Sequence, residues 1–373
     1  MTIGIVGAGQ LGRMTALAGY PLGLDFLFLD ASASTPGGQV APILEGAFTD
    51  SALLEELARR SDVLTFDWEN VSVKSLEALG LGAKIQPPLR ALAASQDRLS
   101  EKKLFDRLGI PTTRYAAVRN ARDLQRALAR IGLPGVLKTR RFGYDGKGQA
   151  VIRTADDAEA ARISLSSDEL IYEEFIPFDY EVSIIGARST RGEIVVYPLN
   201  GNVHSAGILR VTRAPFGPAA LHRRAALHLR RVLEHFGYAG ILNIEFFVRN
   251  GRLIANETAP RVHNSGHWTI EGAETSQFEN HLRAILGWPL GSTRARGHCA
   301  MVNLIGTVPP REAVLAHDGA HLHDYGKQPR AGRKVGHITL VRPSVADRDR
   351  RARRLLDLAD PDLRVSWPTA RLT

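Results

Sequence analysis

Cysteine is nearly missing from this 373-residue chain: Cys299 stands alone, so no intrachain disulfide can staple the fold and a reducing cytoplasm is the expected compartment. Its place in the apolar run 299–306 reads as a buried small residue rather than a nucleophile. No apolar stretch approaches the roughly 20 residues of a membrane span. Residues 2–6 lead directly into strand-like sequence, without the charged and apolar regions of a signal peptide, so no membrane partner is expected. Internal repeats and low-complexity linkers are absent. With 44% apolar and 23% charged residues the composition is that of a globular protein. The basic clusters at 222–231 and 348–354 lack interleaved aromatics and read as solvated helix faces, which argues against a nucleic-acid platform. The net charge of +9 is left to serve small anionic substrates.

A chain of this length exceeds the about 250–300 residues at which a single core stops growing, so more than one domain is expected. Residues 3–6, 7–12 and 11–17 read as strand, glycine turn and helix, with Gly7, Gly9 and Gly12 matching G-x-G-x-x-G. Asp30 ends the next strand, where a ribose-binding carboxylate of a nicotinamide enzyme would stand. The physics of the motif is only a helix N-terminus facing an anion, so a substrate phosphate suits it equally. Further on, Lys138 ends a strand and the loop 139–149 carries Gly143, Gly146 and Gly148 around Lys147, a flap suited to covering phosphates. It lacks the spacing of a Walker loop.

The densest concentration of chemistry lies at 245–267, where Glu245, Asn256, Glu257, Arg261, His263, Asn264 and His267 fall within a hairpin and the turn after it. Asn250-Gly251 between alternating runs predicts a tight hairpin. Strict two-residue pairing would set Glu245 opposite Asn256 and send Glu257 to the other face. A shared metal requires a bulge that brings Glu245 opposite Glu257, and that register is expected. Two carboxylates with phosphate oxygens suit Mg²⁺. His263 and His267 could chelate a transition metal only from a helix, which Pro260 and Gly266 oppose.

Five ordered segments, GAGQLGRM at 7–14, KKLFDRLGIPT at 102–112, GYDGKGQ at 143–149, APRVHNSGHW at 259–268 and GRKVGH at 332–337, together resemble the N5-carboxyaminoimidazole ribonucleotide synthetase family. Residues 65–70 resemble that family's acidic and aromatic segment with altered residues. The resemblance implies α/β and α+β architecture: an ATP-grasp fold with an N-terminal Rossmann-like α/β domain (1–90), an ATP-grasp domain of two subdomains (91–290) and a small C-terminal β-rich domain (291–373). It implies carboxylation of 5-aminoimidazole ribonucleotide with ATP and bicarbonate, Mg²⁺ as the metal, neither biotin nor NAD, and a cytoplasmic homodimer.

The implied roles follow. Arg98, Lys138 and Lys147 neutralise the triphosphate, and Gly143, Tyr144, Asp145, Gly146, Lys147, Gly148 and Gln149 close over it. Glu173, Glu174, Phe175 and Ile176 face adenine, Glu181 the ribose, with His204 nearby and Asn256 beside the nucleotide. Glu245 and Glu257 hold the metal. Gly9, Gln10, Leu11, Lys327, Arg333 and Lys334 take the ribonucleotide's phosphate, while Tyr144, Asp145, Arg261, His263 and Asn264 line the rest of that substrate. Arg261, Lys147, Asp145 and His263 stand at carboxyl transfer.

Overall fold

The computed structural model describes residues 1–143, 146–364 and 367. Short apolar runs followed by helices give parallel strands, because a crossover must return along the same direction. Ile43–Glu45, Asp25–Asp30, Thr2–Val6 and Val63–Phe66 form such a sheet in that order, all parallel. Helix Gln10–Gly19 follows the first strand, and helix Ser51–Arg60 begins where Asp50 accepts the Leu53 N–H.

A second sheet is antiparallel, in the order Tyr115–Val118, Leu170–Glu174, Gly135–Thr139, Gln149–Ile152. Leu124, Ala127, Leu128 and Ile131 of helix Ala121–Ile131 recur at helical spacing and bury against it. Asn120 caps this helix, its side chain accepting from the Asp123 N–H.

The central sheet has nine strands among the described residues. Its path runs Arg252–Ala259, Gly240–Arg249, Tyr180–Arg188, Asn200–Ser205, Ile208–Ala214, His298–Ile305, Lys334–Arg342 and Ala320–Asp324, with Ile194–Val196 beside Tyr180–Arg188. The strands after residue 297 therefore extend this sheet, through pairing of Ile208–Ala214 with His298–Ile305. His204 stands on the strand Asn200–Ser205. Helix Ala219–Phe236 buries Leu221, Ala225, Leu229, Val232, Leu233 and Phe236 against one face, leaving its basic residues outward as expected. Among the described residues no helix is long and apolar enough to cross a membrane.

Trp268 anchors the turn after the hairpin. It is fully buried, meets Tyr197 edge-on at 6.4 Å, and its indole N–H donates to Asn200 Oδ1 at 2.9 Å. Asn200 Nδ2 in turn donates to the Ser265 carbonyl. Trp268→Phe strands the Asn200 oxygen and leaves a void, so urea unfolding is expected to show a loss of about 2 kcal/mol or more; an unchanged midpoint would count against this anchor.

Candidate active site at the hairpin bulge

Asn250 and Gly251 both adopt positive φ, 49° and 71°, so the tip is a two-residue turn whose twist matches its strands. Pairing runs regularly from Arg249 opposite Arg252 to Phe246 opposite Ala255, then shifts, and Glu245 lies opposite Glu257. Asn256 is the extra residue. The bulged register expected from the sequence is present, and it puts both carboxylates on one face of the sheet.

That face is the wall between two clefts, of 310 and 820 Å³. Arg98, Lys147, Glu245, Glu257, His263, Asn264 and Lys334 line both. Lys138, Gly146, Gln149, Glu173, Glu174, Phe175, Ile176, Glu181, His204 and Asn256 line the smaller cleft. Gln10, Leu11, Gly143, Arg261, Lys327 and Arg333 line the larger. Gly148 lines neither, its carbonyl accepting from the Thr139 N–H. Tyr144 and Asp145 lie outside the described residues.

The carboxylate pair is electrostatically unequal. Burial raises Glu245 to about 7, and the nearby Glu257 and Glu181 add to this against the lowering by His204. For Glu257 burial acts upward too, but Arg98, whose Nη1 donates to Oε2 at 2.9 Å, brings it below the usual range. Asp97 caps helix Arg98–Arg107 and so fixes Arg98 at its start. Hard oxygen donors, an excess of acid at Glu245 and the buried, unpartnered Asn256 Oδ1 form a donor set that fits Mg²⁺. Among the described residues no group of three or more His, Cys, Asp or Glu is arranged to hold a metal, so substrate oxygens and water would complete its shell.

His263 is kept neutral, burial and the charge of Arg261 depressing it well below its ordinary value. Its Nδ1 lies 3.3 Å from the Ser265 N–H that donates to it, which leaves the proton on Nε2, 3.5 Å from Glu245. His204 behaves oppositely: burial opposes its charge, but the Glu181 carboxylate at 2.9 Å raises it to about 9. His267 is turned away toward Phe278 and His337, so it shares no metal with His263.

Several sequence expectations are corrected. Glu173 does not offer a free carboxylate to a nucleotide; it is buried against Lys102 at 3.3 Å, Lys138 at 3.1 Å and the Thr113 hydroxyl at 3.0 Å. Glu174 pairs with Arg114 at 3.0 Å. In the glycine turn, the Ala8 N–H donates to Asp30 at 2.7 Å, while Gly9 and Gly12 donate to Asp67 at 2.6 and 3.2 Å. Asp30 is thus a turn brace rather than a ribose ligand, and the Gly9 N–H is already engaged. Gly7, at φ 97°, passes so near Asp67 that an added Cβ would sit 1.9 Å from its Oδ1. The cleft instead receives Gln10 and Leu11, whose N–H groups have no intrahelical partner. Lys327 reaches across from residue 327 to Gln10 Oε1.

Sequence reasoning missed the partners of the polar stretch. Glu69 sits 2.5 Å from Arg261 and orients it across the larger cleft. Asn264 and Asn303 exchange reciprocal amide hydrogen bonds of 3.0 and 2.7 Å. Lys102, 1% exposed, donates to the carbonyls of Ala255 and Asn256 at 3.2 and 2.8 Å while facing Glu173. It ties the bulge to the neighbouring sheet. Phe178 stacks on Phe247 at 4.8 Å beside the smaller cleft. Glu69 carried a signal, lying in the acidic segment 65–70, and Lys102 opens the segment KKLFDRLGIPT.

Three family models match in succession: the ribonucleotide synthetase preATP-grasp domain over residues 1–96, the ATP-grasp domain over 103–278, and the phosphoribosylaminoimidazole carboxylase C-terminal domain over 299–351. The N5-carboxyaminoimidazole ribonucleotide synthase of Pseudomonas aeruginosa is 48% identical over 340 residues, 91% of this chain and 94% of that protein. The chain belongs to the N5-carboxyaminoimidazole ribonucleotide synthase family. The synthetase of Thermus thermophilus superposes with a TM-score of 0.93 at 49% identity, over 98% of this chain and 99% of that one. That of Aspergillus clavatus, solved with ADP and 5-aminoimidazole ribonucleotide, gives 0.90 at 28% identity over 96% and 98%. In this chain the ATP-grasp domain is flanked by a preATP-grasp domain and a C-terminal domain.

Within this synthase, burial and the nearby Asp30 raise Asp67 to about 6 despite its two backbone hydrogen bonds. A carboxyl raised on folding contributes stability that is full below its unfolded value and lost as pH rises through its folded one. Asp67→Asn keeps an oxygen for Gly9 and Gly12 and cannot ionise. Its melting temperature relative to the parent should therefore rise steadily between about pH 4 and about pH 7; a pH-independent difference means the carboxyl is not held up.

Proposed function

We propose that this chain carboxylates 5-aminoimidazole ribonucleotide to N5-carboxyaminoimidazole ribonucleotide, using ATP and bicarbonate and releasing ADP and phosphate, in purine biosynthesis. The observation that carries the reading is the shared wall: one bulged hairpin presents Glu245 and Glu257 to both clefts at once. ATP is assigned to the smaller cleft and the ribonucleotide to the larger. We divide the chain as 1–90, 91–290 and 291–373, with the first part and the last strands closing the ribonucleotide cleft.

Phosphoryl transfer needs charge neutralisation and alignment more than covalent help. Arg98, Lys138 and Lys147 supply positive charge along the smaller cleft, with Arg98 held there by Glu257 and Lys138 by Glu173. Bound by Glu245 and Glu257, with Asn256 beside them, Mg²⁺ would supply further charge stabilisation for the phosphates. Glu181 and His204 stand on the ribose side, and Phe178 with Phe247 offers a flat apolar face to the base. Arg261, steadied by Glu69, faces the carboxyl group in transit. The neutral His263, with its Nε2 proton toward Glu245, can carry a hydrogen bond but does not start as an acid. Asp145 and Tyr144 are assigned to ATP and the ribonucleotide in this reading. Gln10, Leu11, Lys327, Arg333 and Lys334 take the ribonucleotide phosphate. The enzyme is read as a cytoplasmic homodimer without biotin or NAD.

Phosphate release from Mg·ATP with bicarbonate should rise strongly on adding 5-aminoimidazole ribonucleotide; no stimulation would remove the proposal. Glu257→Ala should lower that turnover by on the order of a hundredfold or more while the protein still melts cooperatively. Lys327, which burial and Arg333 lower to about 8, is a second probe. Lys327→Ala is expected to raise the apparent KM for the ribonucleotide by about tenfold with that for ATP little changed. Equal effects on both would reject its phosphate assignment.

A further inference from the structure

Two neutral groups hold the ammonium of Lys327 in the larger cleft. Gln10 Oε1 accepts from it, and its Nζ stands 5.7 Å over the ring centroid of Tyr325. Among the described residues no carboxylate forms an ion pair with it. Residues 328–332 are exposed, whereas Tyr325, two positions before the lysine, is 1% exposed. That tyrosine is fixed at both ends. Its hydroxyl meets His337 Nδ1 at 2.7 Å, and its carbonyl accepts from Gln39 Nε2 at 3.1 Å. His337, the buried last residue of the segment GRKVGH, thereby fixes the ring beneath Lys327. The imidazole is itself stacked flat on His323, with centroids 4.3 Å apart.

A tether without charge has a specific use. A lysine on its flexible stem loses rotamer freedom when it is ordered, and a carboxylate that ordered it would also cancel its charge. The negative face of an aromatic ring attracts an ammonium and leaves its charge for a second partner. The nearby acids are engaged elsewhere: Asp30 and Asp67 accept from the glycine turn, and Glu69 pairs with Arg261. A phosphate dianion can then meet Lys327 while Tyr325 keeps its place. We propose that Tyr325 is a positioning residue for the ribonucleotide phosphate, its ring face holding the Lys327 ammonium in the larger cleft. The inference rests on the assignment of that phosphate to Lys327 and adds the group that orders the lysine beforehand.

The test uses the full-length enzyme and ribonucleotide-dependent phosphate release, with thermal melting recorded for each variant. Tyr325→Leu removes the ring and should raise the apparent KM for the ribonucleotide by about fivefold, with the KM for ATP and the saturated turnover within about twofold of the parent. Tyr325→Phe keeps the ring but strands His337 Nδ1, so it should melt lower yet hold the ribonucleotide KM within about twofold. Tyr325→Met, whose unbranched side chain adapts to the gap, serves if the leucine variant fails to fold. In the Lys327→Ala background, loss of the ring should add nothing to the ribonucleotide KM, because its effect runs through that ammonium. An unchanged KM without the ring, equal KM rises in the phenylalanine and leucine variants, or effects additive with Lys327→Ala would overturn the proposal and leave Tyr325 a packing residue. An unchanged ribonucleotide KM in Lys327→Ala alone would instead overturn the phosphate assignment, and absence of ribonucleotide stimulation in the parent would overturn the carboxylation reading, each taking this inference with it.

Discussion

The site depends on a single backbone irregularity. Because side chains alternate along a strand, Glu245 and Glu257 can share a face only if one residue is inserted between them and the turn, and Asn256 is that residue. Lys102 donates to the carbonyl of this inserted residue and to that of its neighbour Ala255. The same ammonium meets Glu173, which in turn meets Lys138. A buried charge chain thus runs from the bulge into the neighbouring sheet, and each member would be costly without the next. The position of the carboxylate pair and that of Lys138 on the smaller cleft are set by one network.

Charge is distributed by role across the two clefts. On the smaller cleft, arginine and lysines hold Glu257 and Glu173 ionised, whereas Glu245, nearer to other acids, is raised toward neutrality. That imbalance is what a divalent cation relieves. On the larger cleft the acids serve the protein: Asp30 and Asp67 brace the glycine turn, and Glu69 steadies Arg261. Lys327, Arg333 and Lys334 bring positive charge to the same cleft.

Much of this was legible from residue order. The strand and helix expected around the first glycine turn stand at Thr2–Val6 and Gln10–Gly19. Asn250-Gly251 marked the turn, and the need for paired carboxylates pointed to the bulge. The glycine turn misled because its pattern reports only a helix start. Whether the N–H groups meet a ligand or the protein's own carboxylate depends on Asp67, which arrives from a strand more than fifty residues away. Glu173 misled for the same reason, its neighbours Lys102 and Lys138 being remote in sequence and adjacent in space.

The sequence by itself determined the fold class, the family and the identities of the groups around the hairpin, because each of these rests on local pattern and on motifs kept in order. Only the tertiary structure decided which of those groups remain available to a substrate. That is a matter of hydrogen-bond satisfaction: Asp30, Gly9 and Glu173 find partners inside the protein, whereas Asn256 Oδ1 finds none. No spacing in the chain records that difference, since it arises where strands, helices and turns distant in sequence converge.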